Sequence, residues 1–299
     1  MKIGLTRQDK VFHAVNHFLW VIVFVVILYP LYLIIISSVS DPFAVLRGEV
    51  ILLPVGFSLA GYRALLQFTQ LWRSYANSIF YTVTGTMISV VITLMGAYAT
   101  SRPFPGKGIV NFFIIFTMFF SGGLIPTFLM MGNIGLHDNP LILIIMGAVS
   151  VWNLMVARAF INITIPNELY EASVLDGATH IQYFTRIVMP LSGTIVAVLC
   201  VYYGVARWND FFTGMIYIRT QSLLPLQTVM RSILATLTVV DNDLIAAMSD
   251  HHADIAEAMR MAEIAKYCII VVSTVPAVVL YVFMQKYFVK GVMIGSIKG

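Results

Sequence analysis

Long runs without charged residues limit most strongly how this chain can fold. Residues 11–40 contain no Asp, Glu, Lys or Arg, and residues 18–37 within them are long enough to cross ~30 Å of hydrocarbon as a helix. A cleaved signal peptide is the alternative, but its apolar core would be only about 7–15 residues long. We therefore expect residues 18–37 to form a retained transmembrane helix.

Five further apolar segments repeat this pattern along the chain. Of the 299 residues, 59% are hydrophobic and only 11% are charged, whereas a soluble domain carries about 25% charged residues. The sequence therefore predicts an all-α membrane protein that forms one transmembrane domain of six helices over residues 1–299. The remaining predicted spans are residues 74–100, 109–131, 140–160, 193–218 and 267–285.

The distribution of basic residues indicates how these spans are oriented. Six spans place both termini on one side of the membrane. If that side is the cytoplasm, its segments hold ten Lys and Arg residues, against seven in the longer outer loops. The positive-inside rule therefore predicts cytoplasmic termini. The net charge of +4 fits this enrichment and does not suggest a nucleic-acid partner.

Two of the spans carry unusual residues that mark a candidate water-filled path. Asn77 and Tyr81 belong to a polar stripe on the second span, and polar groups in lipid normally face protein or water. Gly122-Gly123 and Pro126 predict a kink in the third span. Hydrogen bonding between helices is an equally good explanation of the polar stripe.

The fifth span contains the most unusual cluster. Ionisable residues at membrane depth are costly unless they are paired or face water, so a functional role is the default interpretation. The alternative is an Arg207–Asp210 pair that only stabilises the fold, since residues three apart on a helix can meet. The candidate path residues of this span are Tyr203, Arg207, Trp208, Asn209 and Asp210.

A hydrophilic island at residues 166–192 separates the fourth and fifth predicted spans. Pro166 suits the first turn of a helix, where its missing N–H is not needed. Glu168 and Glu171 then fall near the positive N-terminal end of that helix, which favours carboxylates. The island thus begins with a short helix that carries acidic residues at its start.

The same island contains a stop and a second start. Asp176-Gly177 predicts the end of the first helix, because Gly can adopt the left-handed conformation that closes a helix. A second short helix is expected from about Thr179, and Pro190 precedes the next apolar run. We therefore expect residues 166–192 to form a helix–turn–helix, called the elbow below, on the cytoplasmic surface of the membrane.

The elbow resembles the "EAA" loop of ABC-importer permeases, whose pattern is E-A-A-x3-G-x9-I-x-L-P. The spacing matches throughout, with Ser for the second Ala and Met for Leu. The alternative is an amphipathic loop that only joins two spans. The residues that carry the resemblance are Glu171-Ala172-Ser173, Gly177 and Ile187-x-Met189-Pro190.

The resemblance covers nearly the whole chain and implies the second permease subunit of a carbohydrate-uptake, maltose-permease-like importer with type I architecture. Residues 120–126 (FSGGLIP) and 224–227 (LPLQ) look closest to the subgroup that imports complex oligosaccharides, including acidic ones such as alginate. The family's coupling role would then fall on Glu168, Glu171, Ala172, Ser173, Asp176, Gly177 and Pro190.

The resemblance also implies partners in the bacterial inner membrane. They are a homologous second permease subunit, two ABC ATPase subunits, a solute-binding protein, membrane lipid and an oligosaccharide substrate. No Walker-type G-x-x-x-x-G-K-[ST] occurs in the sequence, so ATP and Mg would be bound by the partner ATPase. We expect no catalytic or metal site in this chain; His251-His252 are adjacent and cannot share one helical face.

Two other classes of protein remain as alternatives. A secondary transporter driven by an ion gradient would carry several acidic residues within its spans, and Asp210 is the only one. A membrane-embedded enzyme would need paired carboxylates, a Ser/Lys pair or H-E-x-x-H in the spans, and these motifs are absent. If the cargo is acidic, Arg207 could grip a carboxylate with two hydrogen bonds, while aromatics such as Trp208 and Tyr203 would contact sugars.

Overall fold

The computed structural model describes residues 6–235, 264–283 and 285, and these residues form helices and loops without a β-strand. A π-helical turn, Phe184–Val188, joins α10 to α11, and a 3-10 turn lies at Gln221–Leu223. The helices are α1 (Arg7–Ser38), α2 (Pro42–Leu46), α3 (Ala60–Gln67), α4 (Thr69–Ser101), α5 (Lys107–Phe119), α6 (Leu124–Asn133), α7 (Leu141–Ile145), α8 (Val151–Thr164), α9 (Asn167–Leu175), α10 (His180–Tyr183), α11 (Met189–Leu191), α12 (Gly193–Trp208), α13 (Phe212–Tyr217), α14 (226–235) and α15 (Ile264–Phe283).

Three helices in this part of the chain, α1, α4 and α15, are long and apolar enough to cross a membrane. Two bent pairs could each add a crossing: α5 with α6, bent by 114°, and His180–Leu191 with α12, bent by 80°. The described residues therefore contain three to five candidate spans. Residues on which other predictions depend, namely Lys2, Lys286, Lys290, Lys298 and His251-His252, lie outside the described ranges.

The chain divides into two compact units, the first formed by residues 1–69 and 232–274 and the second by residues 70–231 and 275–299. In the first unit, the carbonyl of Ser38 accepts a hydrogen bond from the Cys268 thiol at 3.4 Å. An ideal Cβ at Gly61 would lie 2.7 Å from the same sulfur, so this packing requires glycine.

The second unit holds the candidate site. Its largest apolar core joins α4, α8, the elbow and α12, so the elbow packs directly beneath the ends of three helices. A continuous core of this kind makes the elbow part of the bundle rather than a free loop. Its fully buried members include Leu94, Ala97, Ala157, Ile161, Tyr183, Val188 and Leu199.

Three predicted spans are interrupted in the structure. The kink expected at Gly122-Gly123 is a break between α5 and α6, at which Gly123 has φ 88°. The predicted spans 140–160 and 193–218 are each divided into two helices, α7 with α8 and α12 with α13. After α7 the chain leaves the helical conformation at Gly147, whose φ is 68°. At the other break, the Asp210 carboxylate accepts a hydrogen bond from the Thr213 N–H at 3.0 Å, in the first turn of α13.

Candidate functional site

The turn of the elbow is a helix stop built from its own backbone. After α9 ends, the N–H of Ala178 donates to the Ser173 carbonyl at 2.9 Å, and the N–H of Gly177 donates to the Val174 carbonyl at 3.0 Å. These two bonds form a Schellman motif, in which the residue after the cap is left-handed. Gly177 has φ 72° and occupies that position, as expected from the sequence.

The second arm begins with a capping box. The N–H of Gln182 donates to the Thr179 hydroxyl at 3.3 Å, and the N–H of Thr179 donates to the Gln182 side-chain oxygen at 2.8 Å. This exchange satisfies amide groups that a helix start leaves free. The arm then passes through the π-turn Phe184–Val188 before Pro190, which lacks the N–H for a regular helical bond.

The residues proposed for coupling do not all face the same way. Glu168, Glu171, Ala172, Asp176 and Pro190 are exposed. By contrast, Ser173 is only 5% exposed, and its hydroxyl donates to the Tyr170 carbonyl at 2.7 Å. The exposed small residue of this motif is therefore Ala172, while Ser173 is buried and its hydroxyl bonds within α9.

Sequence reasoning missed the apolar residues that flank the turn. The side chain of Leu175 is 89% exposed and that of Ile181 is 75% exposed, so both project from the elbow. Between the two arms lies an open groove of about 510 Å³, whose lining includes Ala172, Asp176 and Arg186. Large apolar residues on either side of Gly177, inside a hydrophilic island, were the signal that could have identified this surface.

A second cluster of polar residues lies where α4 and α12 meet the break between α7 and α8. The Arg207 guanidinium donates to the Leu143 carbonyl at 2.8 Å and to the Ser89 hydroxyl at 2.9 Å. Because α7 ends at Ile145, that carbonyl lacks the amide partner that a longer helix would supply. Arg207 therefore completes the C-terminal end of α7.

Tyr203 serves the other side of the same break. Its hydroxyl accepts a hydrogen bond from the N–H of Ser150, the residue that caps α8, at 3.0 Å. It also shares a hydrogen bond of 2.7 Å with the hydroxyl of Thr93, and only 4% of its surface is exposed. Tyr203 and Arg207 lie one turn apart on α12, as Ser89 and Thr93 do on α4. We call two sets of contacts the polar rungs: those of Arg207 with Leu143 and Ser89, and those of Tyr203 with Ser150 and Thr93.

The Arg207–Asp210 ion pair, which the sequence left open as an alternative to a functional role, is not formed in the structure. Among the described residues, the ion pair with a nitrogen–oxygen distance within 4.0 Å is that of Arg47 with Glu49. Arg207 and Asp210 both line a cavity with Tyr81, but its volume is about 20 Å³. A pocket for a small molecule occupies about 300–1,000 Å³, so this cavity is too small to hold a sugar.

The remaining path candidates are spread over several places. Asn77 and Tyr81 donate to the carbonyls of Ser222 and Leu223 at 2.8 and 3.1 Å, which are internal contacts of the second unit. Trp208 is 5% exposed and packs edge-on against Tyr75. Asn209, Gly122 and Gly123 are exposed, the last two at the break between α5 and α6.

Comparison with known proteins identifies the class of this chain. Residues 89–294 match the family model described as "binding-protein-dependent transport system inner membrane component". The chain belongs to this family. The match includes the elbow, both polar rungs and α15, and it places the chain among the multi-pass proteins of the bacterial inner membrane.

Individual relatives agree with this assignment. Two proteins of Bacillus subtilis, the polygalacturonan/rhamnogalacturonan transport system permease YtcP and the protein LplC, are each 33% identical to the chain. The first alignment covers 90% of this chain and 92% of YtcP, and the second covers 98% of this chain and 97% of LplC. A crystal structure of a bacterial ABC transporter involved in the import of the acidic polysaccharide alginate contains a chain that superposes with a TM-score of 0.84. It is 32% identical, over 96% of this chain and 100% of that one.

These findings decide between the classes that the sequence left open. The chain is an ABC transporter permease subunit rather than an enzyme, and ATP hydrolysis takes place in a separate subunit. A transporter driven by an ion gradient is excluded by the same family membership.

Proposed function

We propose that this chain is one of two homologous permease subunits of an importer for acidic oligosaccharides. Two observations support the cargo class. YtcP is named for polygalacturonan and rhamnogalacturonan and the structural relative for alginate, and all three polymers contain uronic acids. The permeases named for arabinooligosaccharides and for melibiose, raffinose and stachyose are only 24% and 25% identical. Carboxylate-bearing sugars are therefore the chemical feature that the named cargoes of these two relatives share.

The proposed assembly has six spans in this subunit and cytoplasmic termini. The five candidate spans become six if α7 and α8, with the short break between them, cross the membrane as one interrupted segment. The other subunits are a second permease, two ATPases that bind ATP and Mg, and a solute-binding protein on the outer side. Membrane lipid covers the long exposed apolar surface of α1, which includes Phe18, Trp20 and Phe24.

The elbow is the proposed site of energy coupling, and its exposed surface is the observation that carries the proposal. Glu168 and Glu171 offer charge near the start of α9, Leu175 and Ile181 offer apolar contact, and Gly177 fixes the angle between the arms. ATP would close the ATPase dimer, move the elbow and open the spans outward. By thermodynamic reciprocity, ATP and the loaded binding protein must favour the same state.

The proposed translocation path assigns different work to the candidate residues. Asn209 and Gly122-Gly123 are exposed, so they are available to line a passage between this subunit and its partner. The buried candidates, Tyr203, Trp208 and Tyr81, keep the walls of that passage in place through their internal contacts. Arg207, Asp210 and Asn77 likewise act through hydrogen bonds within the bundle.

Substitution of Gly177 tests the coupling role. A β-branched residue in the left-handed conformation costs about 1–2 kcal/mol, so Gly177→Val should distort the elbow and abolish most coupled transport. Gly177→Asn should retain transport, because Asn tolerates this conformation. Gly106 has φ 79° and open space around it but lies outside the elbow, so Gly106→Val is the matched control. Normal transport by a Gly177→Val importer would refute the coupling role.

The cargo class requires its own experiment. The complete importer in proteoliposomes, supplied with its binding protein and ATP, should take up trigalacturonate or alginate trisaccharides and not maltotriose. Uptake of maltotriose at an equal rate would contradict the acidic class while leaving the importer assignment intact. Failure of the purified chain to retain an ABC ATPase would contradict the importer assembly itself.

A further inference from the structure

Arg102 directly follows α4 and lies against the elbow, within a cage of aromatic rings. Its guanidinium carbon is 4.5 Å from the ring centre of Tyr170, 5.2 Å from that of Tyr183 and 5.7 Å from that of Tyr98. A guanidinium is attracted to aromatic faces at these distances, and the attraction is stronger where water is excluded. Tyr98 belongs to α4, whereas Tyr170 and Tyr183 belong to the two arms of the elbow.

Two hydrogen bonds fix the orientation of this side chain. One terminal nitrogen of Arg102 donates to the Asn167 side-chain oxygen at 3.1 Å, and the other donates to the Tyr183 hydroxyl at 3.1 Å. Asn167 is the first residue of α9, and Tyr183 is the last residue of α10. Arg102 therefore connects the start of the first arm to the first turn of the second arm.

A second contact ties the elbow to the same helix. The hydroxyl of Tyr98 hydrogen bonds to Nδ1 of His180 at 3.1 Å, and the His180 ring stacks on Tyr170 with 5.8 Å between centroids. The cage thus links each arm to the last turns of α4. That helix continues from the cage to the polar rungs at Ser89 and Thr93, which hold the break between α7 and α8.

We propose that Arg102 is a positioning residue for energy coupling, which transmits movement of the elbow to α4 and thereby to the polar rungs. The inference rests on the coupling role proposed for the elbow. A planar guanidinium can stack on rings and donate to two acceptors at once, whereas a lysine ammonium is a single point charge. The geometry therefore requires arginine at this position and not merely a positive charge.

The neighbouring basic residue provides a matched control. Lys107, in the same cytoplasmic turn, donates to the Ser101 carbonyl at 3.1 Å and makes no contact with the cage. Lys107→Met and Arg102→Met remove equal charge from one loop. A purely electrostatic role of this loop, such as orientation in the membrane, would make the two variants alike.

The experiment uses the complete importer in proteoliposomes with trigalacturonate as cargo. We expect Arg102→Met to assemble and to hydrolyse ATP, while trigalacturonate delivered per ATP falls roughly tenfold, as expected for loss of a half-buried cation–π and hydrogen-bonded group. Arg102→Lys should lose most of the same ratio, and Lys107→Met should match the wild type.

A distance measurement separates positioning from general folding. Spin labels at Leu175 and Met95, both exposed, should give one narrow distance in the wild type and a broad distribution in Arg102→Met; Cys200 and Cys268 are replaced by alanine in both proteins. Unchanged coupling and distance in Arg102→Met would overturn the inference, as would complete loss of ATPase association. If the wild-type importer itself fails to couple ATP to uptake, the proposed function fails instead.

Discussion

The elbow turn and the break between α7 and α8 are alike in one respect and different in another. Each is an interruption at a glycine with positive φ, 72° at Gly177 and 68° at Gly147, and neither glycine has an atom within 4 Å of an ideal Cβ. The turn is closed by bonds between residues three to five apart. The break is held by Tyr203 and Arg207, through bonds to residues 53, 64, 110 and 118 positions away.

This difference follows from the surroundings of each interruption. At the exposed elbow, water can satisfy any backbone group that the local caps leave free. The break lies in a segment predicted to cross the membrane, where an unsatisfied backbone group costs several kcal/mol. Side chains from α4 and α12 must therefore supply the missing partners. Substitutions at the break should consequently cost more than substitutions at the elbow.

The largest expected effect is at Arg207. Arg207→Met leaves the Leu143 carbonyl and the Ser89 hydroxyl without their donor, so the free energy of unfolding should fall by about 3 kcal/mol or more. Asp210→Asn keeps an acceptor for the Thr213 N–H and should cost less than about 1 kcal/mol. Unfolding of both variants in mixed micelles of increasing SDS content measures the two losses.

The ratio of those losses tests the geometry directly. An ion pair between Arg207 and Asp210 would make the two single variants equally damaging and their effects strongly non-additive. Independent roles predict additive effects in the double variant, to within about 0.5 kcal/mol. Equal losses with strong coupling would restore the pair that the structure does not contain.

The second-largest effect is expected at Tyr203, in the other polar rung. Tyr203→Phe removes the acceptor of the Ser150 N–H and the partner of Thr93, at an expected cost of about 2 kcal/mol. Tyr202, its neighbour, is 52% exposed, so Tyr202→Phe is the control and should change stability little. A loss at Tyr203 no larger than at Tyr202 would show that the break does not depend on this contact.

The sequence alone predicted the helix–turn–helix of the elbow but not the break between α7 and α8. The separation in sequence between the interacting residues explains both results. The signals for the elbow turn, Pro166, Gly177 and Thr179, act on residues within a few positions of themselves. The break also contains a glycine, but the partners that stabilise it come from helices that only the tertiary fold brings together. The sequence marked Arg207 as unusual, but its partners, Leu143 and Ser89, lie 64 and 118 positions away.

The cage around Arg102 was missed for the same reason. Its three aromatic residues are scattered over residues 98–183, so no local pattern in the sequence brings them together with Arg102. The burial of Ser173 was likewise not evident from the sequence. Its place in the motif suggested a contact surface, whereas its burial is set by the packing of α9 against the bundle.

A smaller effect is expected at the elbow itself. Thr179→Ala removes the cap of α10 and should cost about 1 kcal/mol, while Thr179→Ser keeps the hydroxyl and should cost a few tenths. Hydrogen exchange of the Gln182 amide measures the loss locally. A cost at Thr179 as large as that at Tyr203 would contradict the argument that water replaces lost partners at this surface.

The smallest effect separates sequence range from exposure, the two variables that differ between the turn and the break. Asp138 is half-exposed, in contrast to the buried Tyr203, yet its partners are also distant in sequence. Its carboxylate accepts hydrogen bonds from the N–H groups of Arg219 and Thr220, at 2.9 and 2.8 Å, and from the Thr220 hydroxyl at 2.6 Å. If separation in sequence alone determined the cost in stability, loss of the Asp138 contact would destabilise the protein as much as loss of the Tyr203 contacts.

These bonds, chiefly that from the Thr220 hydroxyl, lower the pKa of the Asp138 carboxyl below its ordinary value. A lowered pKa in the folded state stabilises the fold above the unfolded pKa of about 3.9, and this contribution is lost as the pH falls through the folded pKa. Protection of the Arg219 and Thr220 amides from hydrogen exchange, corrected for intrinsic rates, should therefore be constant from neutral pH down to about 5 and decrease below about 4. Asp138→Asn should keep the left-handed backbone at φ 53° and remove that pH dependence. If acidification also reduced the protection of the amides at the polar rungs, the separation in sequence between partners, and not their exposure, would determine the cost of losing a contact.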